Sequence, residues 1–125
     1  SSRLFYPSML VEKTITDHKN QVIAKAGTRV NPLDYISWSQ DLLFIDGDDD
    51  RQLAWAMAQA ETSKIIFTNG SPIEQMRKYK RQFFFDQSGI LSRRFGIVRV
   101  PSKISGAGRN LLITEVAMTA KGGEK

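Results

Sequence analysis

The stretch Leu42-Leu43-Phe44-Ile45-Asp46-Gly47 joins four consecutive apolar residues to a turn signal. An uninterrupted apolar run of this length is typical of a strand that is buried on both faces of a sheet. The run Lys64-Ile65-Ile66-Phe67-Thr68 repeats the pattern and ends at Asn69-Gly70. Together the two runs predict neighbouring strands in the interior of an α/β domain.

Helix signals follow each of these strands. One of the aspartates at 48–50 can cap a helix that continues to about Glu61, and the acidic groups stand at the positive end of its dipole. Ser71 can cap a second helix that ends near Lys80, with a proline at its first position. Two successive βα units favour parallel strands joined by right-handed crossovers.

The rest of the main domain continues this alternation. Phe83-Phe84-Phe85 predicts a third strand, and Gly96 can end the short helix that follows it. Two closing strands are predicted over 98–104 and 111–116, joined by the glycine-rich turn Ser105-Gly106-Ala107-Gly108. The predicted order is β-α-β-α-β-α-β-β, and the predicted fold is a mixed sheet with helices on its faces.

We expect three parts in the chain: an N-terminal annex over 1–38 that packs on the core, a main domain over 39–118, and a disordered tail over 119–125. In the annex, Val22-Ile23-Ala24 follows the polar turn His18-Lys19-Asn20, which predicts a small β-hairpin. The chain opens with neither an initiator Met nor a secretory apolar segment. We therefore expect a processed or truncated piece of a longer protein.

Composition excludes several classes of site. The 125 residues include no Cys and a single His, which removes disulfides, thiolate metal sites and redox cysteine pairs. We expect no cofactor and no metal. No apolar run approaches the roughly 20 residues needed to cross a bilayer, so we also expect no membrane insertion.

The net charge of +5 is unevenly distributed. Residues 1–63 carry 6 basic and 9 acidic side chains, whereas residues 64–125 carry 12 basic and 4 acidic ones. Such asymmetry suits an acidic protein partner, a nucleic acid or an anionic membrane, and a solvated surface is the plain alternative. No nucleic-acid recognition motif accompanies it, which favours protein docking or solubility. The candidate basic docking patch is Arg77, Lys78, Lys80, Arg81, Arg93 and Arg94.

Other single residues point to structure and not to catalysis. The aspartate cluster at 46–50 lacks the alternating spacing of a calcium loop, so a helix cap or a binding surface is favoured over a metal site. Trp55 is expected in the core and His18 in a solvated turn. Asp86 and Glu115 have no partner in the sequence that would make an acid/base pair.

The run Phe85-Asp86-Gln87-Ser88-Gly89-Ile90-Leu91-Ser92-Arg93-Arg94-Phe95-Gly96-Ile97-Val98-Arg99-Val100-Pro101 resembles the second half of thioredoxin-like domains. This resemblance implies a thioredoxin-like fold and a cis peptide bond at Val100-Pro101. It also implies that 46–50 stands where redox-active relatives carry their cysteine pair. Carboxylates cannot replace a thiolate in disulfide exchange, so the thiol reaction is absent.

An ordered series of short matches over nearly the whole chain resembles the C-terminal region of the TraW family of F-type conjugative type IV secretion systems. The resemblance implies a protein of the Gram-negative periplasm that is needed for conjugative pilus assembly and acts with the thioredoxin-like protein TrbC. The family's N-terminal region, with its export signal, would be absent here. The matching segments are Arg3-Leu4-Phe5, Pro7-Ser8, Ala26-Gly27, Asn31-Pro32-Leu33-Asp34-Tyr35, Phe44-Ile45-Asp46-Gly47-Asp48-Asp49, Gln52-Leu53-Ala54-Trp55, Ser63-Lys64-Ile65-Ile66, Gly70-Ser71 and Phe85-Asp86-Gln87-Ser88-Gly89.

We therefore expect a non-enzymatic assembly factor that binds TrbC, and possible further transfer proteins, and takes no small-molecule substrate. The alternatives are a periplasmic chaperone that needs no thiol, and a nucleic-acid-binding module that uses the basic half. The expected docking face lies where two loops meet at strand ends. Its residues are Asp46, Gly47, Asp48, Asp49, Asp50, Arg99, Val100 and Pro101.

Overall fold

The computed structural model describes residues 1–118, apart from the side chains of Ile15, Ile23 and Ala24. The tail predicted over 119–125 lies outside the described residues. The helices are α1 (Asp50–Met57), α2 (Pro72–Tyr79) and α3 (Ile90–Phe95), with 3₁₀ turns at Pro32–Asp34 and Gln87–Gly89. The strands are β1 (Ser2–Phe5), β2 (Met9–Leu10), β3 (Ile15–Thr16), β4 (Val22–Ala24), β5 (Arg29–Val30), β6 (Leu42–Asp46), β7 (Lys64–Asn69), β8 (Phe84–Phe85), β9 (Ser102–Ala107) and β10 (Asn110–Glu115).

Six strands form one mixed sheet in the order β1-β10-β9-β6-β7-β8. Strands β6, β7 and β8 are parallel, whereas β9 pairs antiparallel with β6, β10 with β9 and β1 with β10. The elements from β6 to β10 follow the predicted order β-α-β-α-β-α-β-β. The predicted mixed α/β fold is therefore confirmed, and it is compatible with a thioredoxin-like arrangement. The Val100-Pro101 bond is cis, as the resemblance implies.

One face of the sheet packs against α1 and α2. Side chains from β6 and β7 alternate between the two faces, so Leu43, Ile45 and Phe67 point to this side and are fully buried. Phe83 stacks on Phe67 with ring centroids 5.0 Å apart. Burying an aliphatic or aromatic side chain of this size contributes about 1.5–3 kcal/mol, so this first core is a principal source of stability.

The opposite face carries a second core beneath α3 and the segment before β6. Phe44 and Ile104 are fully buried there, and Phe95 of α3 lies over them. Phe5 and Trp38 each meet the Phe95 ring edge-on, with centroids 5.4 and 6.4 Å away. The three helices therefore divide between the faces, with α1 and α2 on one and α3 on the other.

Helix α1 ends at Met57, one turn before the predicted end near Glu61. At this end the guanidinium of Arg81, distant in sequence, donates to the carbonyls of Met57 and Ala60 at 3.3 and 3.4 Å. These bonds satisfy carbonyl groups that a helix end leaves without partners. The chain can then turn into β7 earlier than the apolar pattern indicates.

The closing hairpin turns later than predicted. Ser105 and Gly106 pair with Leu112 and Leu111 inside the β9–β10 ladder, so the loop is Gly108-Arg109 and not 105–108. Gly108 has a φ of +67°, which the tight two-residue turn requires and which costs a glycine little. The predicted turn over 105–108 therefore starts three residues too early.

The N-terminal residues contribute to the main sheet and to two small ones. β1 is an edge strand against β10, β2 pairs with β5, and β3 with β4 forms the predicted hairpin. Asp34 and Arg109 share two hydrogen bonds of 2.7 and 2.9 Å, and Asn31 donates to the Arg109 carbonyl at 2.7 Å. The division of the chain at residue 38 stays a prediction.

None of the helices in 1–118 has the length and hydropathy to cross a membrane.

Candidate protein-binding face

Sheet register places the two predicted loops at the same end of neighbouring central strands. β6 ends at Asp46, whereas its antiparallel neighbour β9 begins at Ser102, which pairs with Phe44. The loop over 46–50 and the loop over 99–101 therefore both leave the sheet at this end. We call this region the aspartate face.

The first part of the aspartate loop is held by its own hydrogen bonds. The Asp46 carboxylate accepts from the Asp48 amide at 2.9 Å and from the Asn69 side-chain amide at 3.0 Å. The same Asn69 group donates to the Asp48 carboxylate at 3.1 Å. Asn69 thus bridges two like charges, which lowers their mutual repulsion and links the loop to the end of β7.

The second part of the loop begins helix α1. The Asp49 carboxylate accepts from the amides of Arg51 and Gln52 at 3.0 and 3.3 Å, so Asp49 is the helix cap. The buried Gln52 side chain returns to the loop, where its Oε1 accepts from the Asp46 amide at 2.8 Å. Asp46 and Asp49 are therefore structural, whereas Asp48 and Asp50 are exposed.

Gly47 allows the loop to cross the end of the sheet closely. A Cβ atom at this position would stand 2.3 Å from the ring of Phe67, well inside van der Waals contact. The Gly47 amide donates to the Asn69 carbonyl at 2.9 Å. The tight approach leaves the following carboxylates at the surface.

The loop on the other side of the face combines an exposed cation with buried hydrophobic residues. Arg99 is largely exposed and lies 3.6 Å from Glu115. Pro101 is buried and Val100 packs against the second core, so these two contribute backbone shape and little side-chain surface. Val98 is 76% exposed, the largest exposure of any large hydrophobic residue in the described chain.

The structure divides the predicted basic patch into two groups. Arg77 and Lys78 lie on α2 and Lys80 caps it, whereas Arg93 and Arg94 lie on α3, across the sheet. Arg93 is bonded to the Ser88 carbonyl at 2.6 Å. Arg81, the sixth member, donates to backbone carbonyl groups at and just beyond the end of α1. The six cations therefore do not share one face.

Asp86 is a buried carboxylate with a structural position. It accepts from the amides of Leu91 and Ser92 at 2.8 and 2.9 Å and from the Ser92 hydroxyl at 2.6 Å. Burial raises the pKa of Asp86, but the bonds from Ser92 and Leu91 outweigh it and hold the pKa below its usual value. The group is a stable anion that orders the start of α3.

Trp55 and His18 stand where the sequence places them. Trp55 packs against the first core, and His18 is exposed in the turn between β3 and β4. Across residues 1–118, no group of three or more His, Cys, Asp or Glu side chains is positioned to hold a metal ion.

Sequence reasoning missed two contributors to the aspartate face. Asn69 was read as a turn residue and Gln52 as part of a helix, yet both bond to the aspartate loop. A signal exists for Asn69: it is the last residue of β7, and the carboxyl ends of parallel neighbours meet at one edge of a sheet. Gln52 has the weaker signal of a polar residue on the apolar side of its helix.

Comparison with known proteins identifies a relative for this domain. Protein TraW of Escherichia coli (strain K12) is 41% identical over 107 residues, which cover 83% of this chain. The chain belongs to the TraW family. It spans about half of the relative's length, 51%. No family model matches the chain, and no solved structure matches it.

In this TraW-family domain, the aspartate face occupies the place where the thioredoxin-like resemblance puts a cysteine pair. Helix α1 still begins there and directs its amides toward Asp49. Its first turn therefore binds a carboxylate from its own chain, and the exposed charges on either side are Asp48, Asp50 and Arg99.

Proposed function

We propose that this domain is a non-enzymatic assembly factor for the conjugative pilus of F-type type IV secretion, and that it works in the periplasm by binding TrbC. Membership of the TraW family is the observation that supports the role in conjugation most directly. The absence of Cys from the chain supports a role without thiol chemistry.

The aspartate face is the surface proposed for docking. Asp48 and Asp50 present exposed carboxylates, and Arg99 presents an exposed guanidinium at the same end of the sheet. Charges of both signs on these two loops suit recognition, because complementary charges raise association rates and exclude wrong partners. Val98, next to Arg99 in the chain, adds exposed apolar surface.

Co-purification with TrbC tests the proposal. Asp48→Lys and Arg99→Glu reverse the charge on each loop. Glu61→Lys and Lys64→Glu are matched controls, because they reverse the charge at exposed residues away from the face, near the start of β7. We expect TrbC to be retained by the wild type and both controls and to be lost from both face variants.

Two results would contradict different parts of the proposal. If both face variants retain TrbC while their circular dichroism and melting temperatures stay at wild-type values, the aspartate face is not the docking surface. If the wild-type domain retains no TrbC, the proposed partner is wrong.

A chaperone that acts without a thiol is the second candidate, and exposed Val98 favours it. A holding chaperone binds unfolded chains through exposed apolar surface, and Val98 presents such surface, with 76% of it exposed. The test is suppression of aggregation of an unrelated reduced protein, with Val98→Ser as the variant. Suppression that the variant loses supports the chaperone; specific TrbC binding without suppression excludes it.

A further inference from the structure

A groove of about 820 Å³ lies between the N-terminal segment and the second core. Phe5, Trp38, Phe95 and Leu111 form its floor, and each of them belongs to the second core or packs against it. The edge-on ring contacts at Phe95 and the Trp38 indole N–H, which donates to the Ile104 carbonyl at 3.4 Å, hold this floor in place. The groove is therefore built into the fold.

Two aliphatic side chains stand at the mouth of the groove. Leu10 is 50% exposed and Ile36 is 62% exposed, and both line it. Apolar surface that leaves water on binding contributes about 25 cal/mol per Å². An apolar floor continuous with apolar exposed rims is a surface that favours a covering partner.

The remaining lining side chains make the groove electropositive. Lys13, Arg29 and Arg94 stand against a single acidic residue, Glu12, so the charged lining has a net charge of +2 (three basic minus one acidic). Arg29 donates to the Ser8 hydroxyl at 3.2 Å. The side chains of Lys13 and Arg94 form no hydrogen bond or ion pair within residues 1–118. Two cations are thus available for incoming carboxylates.

We propose that this groove binds a partner-protein segment in which acidic residues flank apolar or aromatic ones. The charged rim selects the acidic residues, and the aromatic floor takes the apolar side chains between them. An open trough with exposed walls suits a peptide segment better than a small molecule, whose sites enclose most of the ligand surface. The groove shares no residue with the aspartate face, so this site is additional to the proposed function.

The sign of the charge separates the two sites. An acidic segment that fits beside Arg29 and Arg94 would be repelled by Asp48 and Asp50 on the aspartate face. A single partner would need patches of opposite sign to cover both. The two sites therefore select segments of different charge.

Fluorescence anisotropy with three short labelled peptides tests the proposal on the full 125-residue chain. The first peptide flanks Leu and Phe with Asp and Glu, the second replaces Leu and Phe by Ser, and the third replaces the acidic residues by Lys. We expect binding of the first alone, with a dissociation constant that rises with added NaCl.

Variants locate the binding. Arg94→Glu and Ile36→Asp should each weaken binding of the first peptide by about tenfold, which corresponds to about 1.4 kcal/mol. Arg77→Glu and Ile73→Asp are the matched controls: both residues are exposed on α2, across the sheet, and Ile73 is as exposed as Ile36. The controls should stay within about twofold of the wild type, by the ordinary independence of distant sites.

Several outcomes would overturn the proposal. The proposal is wrong if the first peptide does not bind, or if all three peptides bind equally. It is also wrong if the control variants weaken binding of the first peptide as much as the groove variants do. Two further measurements cover other occupants. Self-association in sedimentation that Ile36→Asp abolishes would assign the groove to a second copy of the chain. Saturable quenching of Trp38 by dodecanoate in a Trp55→Phe background, without peptide binding, would assign it to an acyl chain.

Discussion

The Asp86 carboxylate shows how one buried charge can order the start of a helix. The bonds from Ser92 and Leu91 hold its folded-state pKa below the usual value for Asp. A carboxyl whose pKa is depressed by folding stabilises the native state above its unfolded pKa, near 4, and this contribution is lost as the pH falls through the folded value.

We predict that Asp86→Ala lowers the free energy of unfolding by about 1–3 kcal/mol at neutral pH, because two α3 amides and a hydroxyl lose their acceptor. Urea unfolding at a series of pH values measures the effect. The difference from the wild type should shrink as the pH falls below about 4, where the wild type loses the same charge. The exposed Asp50→Ala variant is the control. A difference that is equal at neutral and acidic pH would contradict this role.

The close approach of Gly47 to the Phe67 ring supports a second prediction. Gly47→Ala should cost about 1–3 kcal/mol, because its Cβ would overlap the Phe67 ring in a filled core. Denaturant unfolding of Gly47→Ala, Phe67→Leu and the double variant measures the coupling. The double variant should be less destabilised than the sum of the two single ones. Additive losses would place the cost of Gly47→Ala somewhere other than this contact.

At the scale of elements, buried strands were predictable and their boundaries were less so. β6 and β7 are recognisable because burial on both faces demands an unbroken apolar run. The end of α1 and the β9–β10 turn both involve partners on other segments, Arg81 in one case and Leu111 with Leu112 in the other. No local pattern in the sequence reports such contacts.

The candidate site was predictable to a similar degree. The loops over 46–50 and 99–101 follow and precede adjacent strands, so their placement at one end of the sheet follows from topology. The side-chain hydrogen bonds within the face do not follow from topology, and those of Asn69 are an example. The division of the basic patch between α2 and α3 also depends on which face each helix covers.

The segment before β6 supports a prediction about cooperativity. Trp38→Ala should lower the free energy of unfolding by about 2–4 kcal/mol, somewhat less than a fully buried Trp, since Trp38 is half-buried against Phe95. Urea unfolding should shift to a lower midpoint with an unchanged slope if this segment unfolds with the sheet. The neighbouring exposed Tyr35→Ala is the control, with a small expected effect. A separate early transition would show that the N-terminal residues unfold independently.

At the scale of the whole molecule, the sheet carries two surfaces of different chemistry. The aspartate face presents Asp48 and Asp50 beside Arg99 at one end, whereas the groove presents Arg29 and Arg94 over an aromatic floor. Strong charge on both makes association sensitive to ionic strength, because exposed charges are screened beyond about 10 Å at 0.1 M salt. The 125 residues hold no thiol for redox chemistry, which agrees with the proposed role in recognition.

Hydrogen–deuterium exchange of the domain with and without TrbC tests docking through the aspartate face, because it maps the protected surface without altering any residue. We predict slower exchange on binding in peptides that span 46–50 and 97–101, with little change over α2 between Pro72 and Tyr79. Protection confined to α2 or to another surface, or no protection anywhere at saturating TrbC, would contradict docking through the aspartate face.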